Sequence, residues 1–186
     1  MAYVKYFLSK DKPRINPKRL NLIIKQALAE DIGSGDITSS LTLPKNRKIR
    51  VKIIAKENFL LCGIEVAKEV FKAVDPGVNF IKKMKEGKQA HNNSVIAIIS
   101  GKASSILKAE RVALNLLSLL CAVATKTAKF VSKIEPLKTK ITDTRKTIAG
   151  LRELQKYAVR IGGGYNHRIS LDEMLLVKDN HLKILG

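Results

Sequence analysis

Arg145, Lys146, His167, Arg168 and Lys178 fall within one short reach of the chain, between positions 145 and 178, beside two brief apolar runs. Guanidinium and ammonium groups gathered so closely are the side chains that bind carboxylates and phosphates, the arginines as planar forks and the lysines as compact point charges. Each of them taken singly is better read as a solvated charge at the end of an element. Their convergence is what argues for an anion site.

The elements that must position them follow from the apolar pattern. Ile141 and Thr142 lead into Asp143-Thr144-Arg145-Lys146, and Met174-Leu175-Leu176-Val177 leads into Lys178-Asp179-Asn180-His181. In each, polar residues begin where a short apolar run stops, as at the end of a buried strand. Between the two, Leu151, Leu154, Tyr157, Ala158 and Ile161 recur at helical spacing, so the spacing predicts strand, helix, strand. In α/β folds the carboxyl ends of parallel strands carry the chemistry.

Four motifs in this region occur in one order and at one spacing: D-T-R-K-T at 143–147, L-R-E-L-Q-K-Y-A-V at 151–159, G-G-G-Y-N-H-R at 162–168 and L-L-V-K-D-N-H at 175–181. Together they closely resemble the signature of the quinolinate phosphoribosyltransferases, the carboxylating nicotinate-nucleotide pyrophosphorylases. Glu110-Arg111-Val112-Ala113-Leu114-Asn115 is similar to that family's E-R-x-A-L-N helix, and Glu30 to Thr38 resembles its loop at the same point. The resemblance runs from about Pro17 to the last residue. Local departures are Ile148-Ala149-Gly150, Ser170, Glu173 and Cys121-Ala122, none of which removes a cation of the cluster.

The rest of the chain agrees with a mixed α/β protein. With 186 residues, 45% of them hydrophobic, it can bury a core. Asn16-Pro17 reads as the cap and first position of a helix whose apolar face is Leu20, Ile23, Ile24, Ala27 and Leu28. Residues 1–15 read as a loosely held lead-in. Glu30 to Thr38 reads as a glycine-punctuated loop; its acidic pattern lacks the later ligands of a calcium site, so turn chemistry is the better account. Strands are expected over 47–56, 59–62, 78–83 and 95–100, and a helix over 64–74, stopped by Asp75-Pro76-Gly77. Lys85 to Asn93 is polar and reads as a connection.

A long helix should run from a cap at Ser104 or Ser105 to about Ile134. Its middle, Val112 to Thr125, is apolar nearly all round and reads as a buried connector, inside which Asn115 and Ser118 would need hydrogen-bond partners. Gly162-Gly163-Gly164 is first of all a helix stop, and only weakly a phosphate loop. The resulting division is 16–108 as an N-terminal α/β sandwich, 109–136 as a connecting helix and 137–186 as the first part of an α/β barrel, the barrel being what the resemblance implies.

Composition narrows the partners. The formal charge is +19, which attracts polyanions whatever the fold. Yet the lysines and arginines are spread along the chain, with no interleaved aromatic pattern, so a composition-wide lysine bias is the reading and a nucleic-acid partner is disfavoured. No apolar run approaches the roughly 20 residues that span a bilayer, and Met1 to Lys10 lacks the apolar region of a secretory signal, so a cytoplasmic protein is the expectation. Cys62 and Cys121 both sit among apolar residues, without metal-ligand spacing, and read as buried thiols.

From the resemblance comes a reaction. Such enzymes transfer the phosphoribosyl group of phosphoribosyl pyrophosphate, with Mg2+, to the nitrogen of quinolinate; pyrophosphate leaves, and loss of the 2-carboxylate gives nicotinate mononucleotide for NAD synthesis. Carried over by position, Arg111 would reach into a partner subunit's site, making a homodimer the smallest active unit. Thr144, Arg145, Lys146, His167 and Arg168 would line the quinolinate pocket, and Lys178 would contact quinolinate or the phosphoribosyl donor. Lys146, His167 and Lys178 would be the catalytic group. By the residues alone, each arginine can instead serve a structural ion pair, and His167 can be a satisfied structural histidine.

The stretch after Lys108 is much shorter than the roughly 200 residues that barrels of this general kind need. The acidic residues that in the family hold the ribose hydroxyls and Mg2+ have no counterpart in it, so no metal ligand is assigned. Three readings of that shortfall follow: an enzyme completed by a second polypeptide, an inactive truncated remnant, or a basic nucleic-acid-binding protein that reuses the N-terminal domain. An open partial barrel would leave apolar faces and strand edges uncovered.

Overall fold

A computed structural model describes residues 14–185; of the expected lead-in, residues 1–13 lie outside it. The chain opens with helix α1, Pro17–Ile32. Asn16 caps it, its side-chain oxygen accepting from Lys18 N at 2.9 Å, and Pro17 fills a position whose N–H would have no partner. Ile24 and Leu28 are buried, and Leu20, Ile23 and Ala27 pack beside them. The loop expected over 30–38 is shorter than its glycines suggest. α1 continues to Ile32, and Asp36, accepting from Ser39 N at 2.9 Å, caps a second helix, α2, Ile37–Thr42.

Strand β1, Lys48–Ile54, alternates as the sequence does, with Lys48, Arg50 and Lys52 exposed and Ile49, Val51 and Ile53 turned toward the core. After β2, Phe59–Leu60, comes helix α3, Ile64–Val74, then β3, Asn79–Lys82. The polar stretch 85–93 contains a strand that its composition hides, β4, Gln89–Ala90, which pairs with β2. β5, Val95–Lys102, lies at the centre of a three-stranded antiparallel sheet in the order β1-β5-β3.

Helix α4, Ala103–Lys133, follows β5 without a loop. The expected serine cap is therefore absent: Lys102 holds the cap position with no side-chain hydrogen bond, and Ser105 Oγ donates instead to Asp75 Oδ2 at 2.8 Å. Ile106, Ala109, Ala113, Leu116, Leu117 and Leu120 join α3 and the inner sheet face in one core, where the Phe71 and Phe80 rings stand 5.8 Å apart. Asn115 and Ser118 are exposed rather than buried, so water satisfies them. No helix among the described residues is long and apolar enough to cross a membrane.

Beyond α4 the chain returns along it. Helix α5, Arg152–Ile161, lays Leu154 and Ala158 against α4 and ends at Gly162. A Cβ on Gly162 would stand 2.5 Å from the Ala124 carbonyl oxygen and 2.7 Å from Thr127 Cβ, so only glycine lets the two backbones approach this closely. Tyr165 then pairs with Thr142 in a parallel bridge, Tyr165 N donating to Ile141 O and Asp143 N to Tyr165 O. The expected order strand, helix, strand is not formed: α5 is flanked instead by the two residues of an isolated bridge, Thr142 and Tyr165. Residues 174–177 find no strand partner among the described residues, and Leu175 is 79% exposed. A short exposed helix, α6, Asp179–Leu185, follows.

One carboxylate ties the two parts together. Glu86, in the turn before β4, accepts from Gly63 N at 2.5 Å and Ile64 N at 3.2 Å at the N-terminus of α3, and from Tyr157 Oη of α5 at 3.0 Å. An anion there is favoured by the unpaired N–H groups and the helix dipole. Burial, with Glu86 beside it, pushes the Cys62 thiol far above its ordinary range. Burial likewise pushes Cys121, whose Sγ lies 3.3 Å from Cys62 N, up to about 11.

Gly162→Ala is expected to destabilise the chain by about 1–3 kcal/mol through overpacking against the α4 backbone, read as a lower urea midpoint. Because only the thiolate attacks an alkylating agent, iodoacetamide at pH 8 should leave both cysteines unmodified in the native chain and label both in urea, as checked by intact mass.

Candidate functional site

Asp143 stands at the end of the Thr142–Tyr165 bridge, and three donors converge on it. Lys156 Nζ of α5 donates to Oδ1 at 2.6 Å, Asn166 Nδ2 to Oδ2 at 2.6 Å, and His167 N to Oδ1 at 2.8 Å. The Lys156 and Asp143 side chains are only 4% and 7% exposed. Lys156 Nζ also reaches His167 O at 2.9 Å, and Asn166 Nδ2 reaches Lys156 O at 2.9 Å. A buried ion pair is tolerated when such further hydrogen bonds satisfy both partners.

The polar face of α5 holds both loops. Gln155 Oε1 accepts from Ile148 N at 2.8 Å; Arg152 donates through Nε to Thr147 Oγ1 at 3.1 Å and through Nη1 to Ile169 O at 3.0 Å. Segment 143–148 and segment 166–169 are thereby fixed beside one another, which brings Thr144, Arg145, Lys146, His167 and Arg168 to one end of the bridge. Thr144 and Lys146 are exposed, and Thr144 Oγ1 accepts from Lys146 N at 3.0 Å. Arg145 is half-buried, and its Nε is enclosed with no hydrogen-bond partner.

His167 Nδ1 accepts from Arg168 N at 2.8 Å, which puts the ring proton of a neutral imidazole on Nε2. Arg168 is buried and donates through Nη1 to Met174 O at 2.7 Å, so one of its five N–H groups is committed to shaping the 169–174 loop.

Two expected residues stand apart. Lys178 is exposed in the segment leading into α6, where its N–H donates to His181 Nδ1 at 2.9 Å. Arg111 is exposed on α4 and lines a different cavity, of about 820 Å3, between that helix and residues 51–59; Lys52, Lys56, Lys126 and Lys129 line it too, with Glu57 and Glu110. A smaller hollow of about 410 Å3 lies at Asp143, bordered by Lys126, Phe130, Ile141 and Val159. Ala122 and Lys126 border both.

Sequence reasoning missed Asp143, Lys156 and Asn166 as parts of the site. The available signal was that Asp143 is the acid adjoining Arg145 and Lys146 in an otherwise cationic stretch, and so required a partner. An arrangement of this kind, cations at the end of a β-bridge whose neighbouring acid is already occupied, can hold a ligand with two carboxylates or a diphosphate.

Comparison with known proteins agrees with the motifs. The model for the quinolinate phosphoribosyl transferase N-terminal domain matches residues 36–121, and that for the C-terminal domain matches residues 123–186. A probable nicotinate-nucleotide pyrophosphorylase (carboxylating) of Bacillus subtilis is 40% identical over 172 residues, covering 92% of this chain and 59% of the relative. Its counterpart in Synechocystis is 42% identical over 163 residues, covering 88% and 55%. The structure of the nicotinate-nucleotide pyrophosphorylase from Francisella tularensis superposes with a TM-score of 0.89 at 37% identity, covering 96% of this chain and 63% of that one. The chain thus spans somewhat over half the length of the relatives it matches. With two consecutive domain models of one family matching residues 36–121 and 123–186, the chain belongs to the quinolinate phosphoribosyl transferase family.

Proposed function

We propose that the chain acts in the transfer of a phosphoribosyl group from phosphoribosyl pyrophosphate to quinolinate, giving nicotinate mononucleotide, pyrophosphate and carbon dioxide, in the synthesis of NAD in the cytoplasm. The observation that carries this reading is the cluster of Thr144, Arg145, Lys146, His167 and Arg168 beside Asp143, whose charge Lys156 already balances. Quinolinate presents two adjacent carboxylates. The Arg145 guanidinium, half-buried with its Nε unpaired, is the fork placed to meet one of them.

In this reading Arg145 and Arg168 orient the dicarboxylate, and His167 Nε2–H holds the pyridine edge. Lys146 and Lys178 serve the phosphate oxygens of the donor. As pyrophosphate departs, positive charge develops at the ribosyl carbon and negative charge on the leaving oxygens; fixed ammonium groups stabilise the second. Attack by the pyridine nitrogen leaves a cationic ring, which draws electrons from the adjacent carboxylate and eases loss of carbon dioxide. Magnesium enters as part of the substrate, on the diphosphate oxygens of the donor. Among the described residues no group of three or more His, Cys, Asp or Glu is gathered that could hold a metal ion.

Arg111 lines the cavity between α4 and residues 51–59, which none of Thr144, Arg145, Lys146, His167 and Arg168 borders, so in this reading it serves the site of a second copy of the chain. A homodimer follows from this reading.

Millimolar quinolinate should raise the thermal midpoint of the purified chain, because a ligand that binds only the native state stabilises it. A midpoint unmoved by quinolinate would sink the assignment. Arg145→Ala should weaken quinolinate binding by about 1.5–3 kcal/mol, the usual worth of a hydrogen bond to a charged group, as measured by titration calorimetry. Sedimentation equilibrium should return twice the chain mass, and Arg111→Ala should weaken quinolinate binding while leaving that mass unchanged.

A further inference from the structure

Asp143 poses a problem that the cation cluster must solve. Its carboxylate is two residues from Arg145 and three from Lys146, and it accepts from the backbone N–H of His167. A carboxylate so placed is a ready intramolecular substitute for the ligand's own: pairing with the nearest guanidinium would cancel one charge of the cluster and occupy a fork meant for substrate. In the structure both oxygens are taken, Oδ1 by Lys156 and His167 N and Oδ2 by Asn166.

We propose that Lys156 is a positioning residue that sequesters the Asp143 carboxylate and so keeps the cations of the 144–146 and 167–168 segments available to an aromatic dicarboxylate. This rests on the function proposed above and adds a role for a residue that never touches the ligand. Three features support it. The Lys156 side chain is 4% exposed, and its ammonium is held by Asp143 and the His167 carbonyl rather than turned to solvent. Its second hydrogen bond goes to the carbonyl of His167, so the same group sets the path of the backbone that carries His167 and Arg168. Asn166 donates to both Asp143 and the Lys156 carbonyl, closing a ring in which every partner is internal.

A buried ion pair could also act simply as a brace, and the test separates the two roles. Quinolinate affinity is measured by calorimetry for the wild-type chain, Lys156→Met and the double variant Lys156→Met/Asp143→Asn, each first shown by circular dichroism to unfold cooperatively. Methionine keeps the length of the side chain and removes its charge; asparagine keeps an acceptor for His167 N and removes the competing carboxylate. Sequestration predicts a loss of at least tenfold in Lys156→Met and recovery to within about threefold of wild type in the double variant. A brace predicts no recovery, because the lysine hydrogen bonds are missing from both. Wild-type affinity in Lys156→Met, or a double variant no better than the single one, overturns the proposal. A wild-type chain that binds neither quinolinate nor phthalate overturns the proposed function and this role with it.

Discussion

The structure depends on one constraint, that α4 must carry two packing surfaces along a single helix. At about 1.5 Å per residue its 31 residues extend roughly 46 Å. Its N-terminal half closes the core beneath the sheet through Ile106, Ala109, Ala113 and Leu116; Ala124 and Thr127, further along, receive α5 and the glycines after it. The second contact demands the closest backbone approach, which is why glycine occupies 162. The join between the two domain models falls inside this helix, at residues 121 and 123. The boundary is thus a shared rigid element rather than a linker.

On that support, α5 does more than pack. Its apolar face holds Leu154 and Ala158 against α4, while Arg152, Gln155 and Lys156 reach the two loops that hold the cations. Geometry at the cation cluster is thus set by α5, through the buried Lys156 and the half-buried Arg152 and Gln155. The division is physical: Thr144 and Lys146 stay in water, while Lys156, which orders the loops behind them, is buried and paired.

Much of this was legible in the sequence where a local rule operates. Asn16-Pro17 and Gly162 bound α1 and α5, the three-and-four spacing marks α3, and alternation of Ile49, Val51 and Ile53 with Arg50 and Lys52 marks β1. The failures share a cause, in that each needed knowledge of a neighbour. A serine cap for α4 presumes a loop, but β5 runs directly into the helix. Met174 to Val177 has strand composition, yet a strand exists only when another pairs with it. Asn115 and Ser118 lie in an apolar run whose outer side opens on a cavity. At the site, the anion-binding residue types were readable from their chemistry, whereas nothing in the spacing singled out Lys156, whose partner lies thirteen positions earlier.

The glycine-to-helix contact also has a meaning in time. During synthesis, the surface of α4 around Ala124 and Thr127 emerges before residues 151–164, which cover it. At about 5–20 residues per second that interval is on the order of seconds, long compared with the collapse of the first core. Until residues 151–164 arrive, the stripe of α4 around Ala124 and Thr127 has nothing from α5 to cover it. Glu86 marks the end of that interval, since Tyr157 can reach it only once α5 has docked.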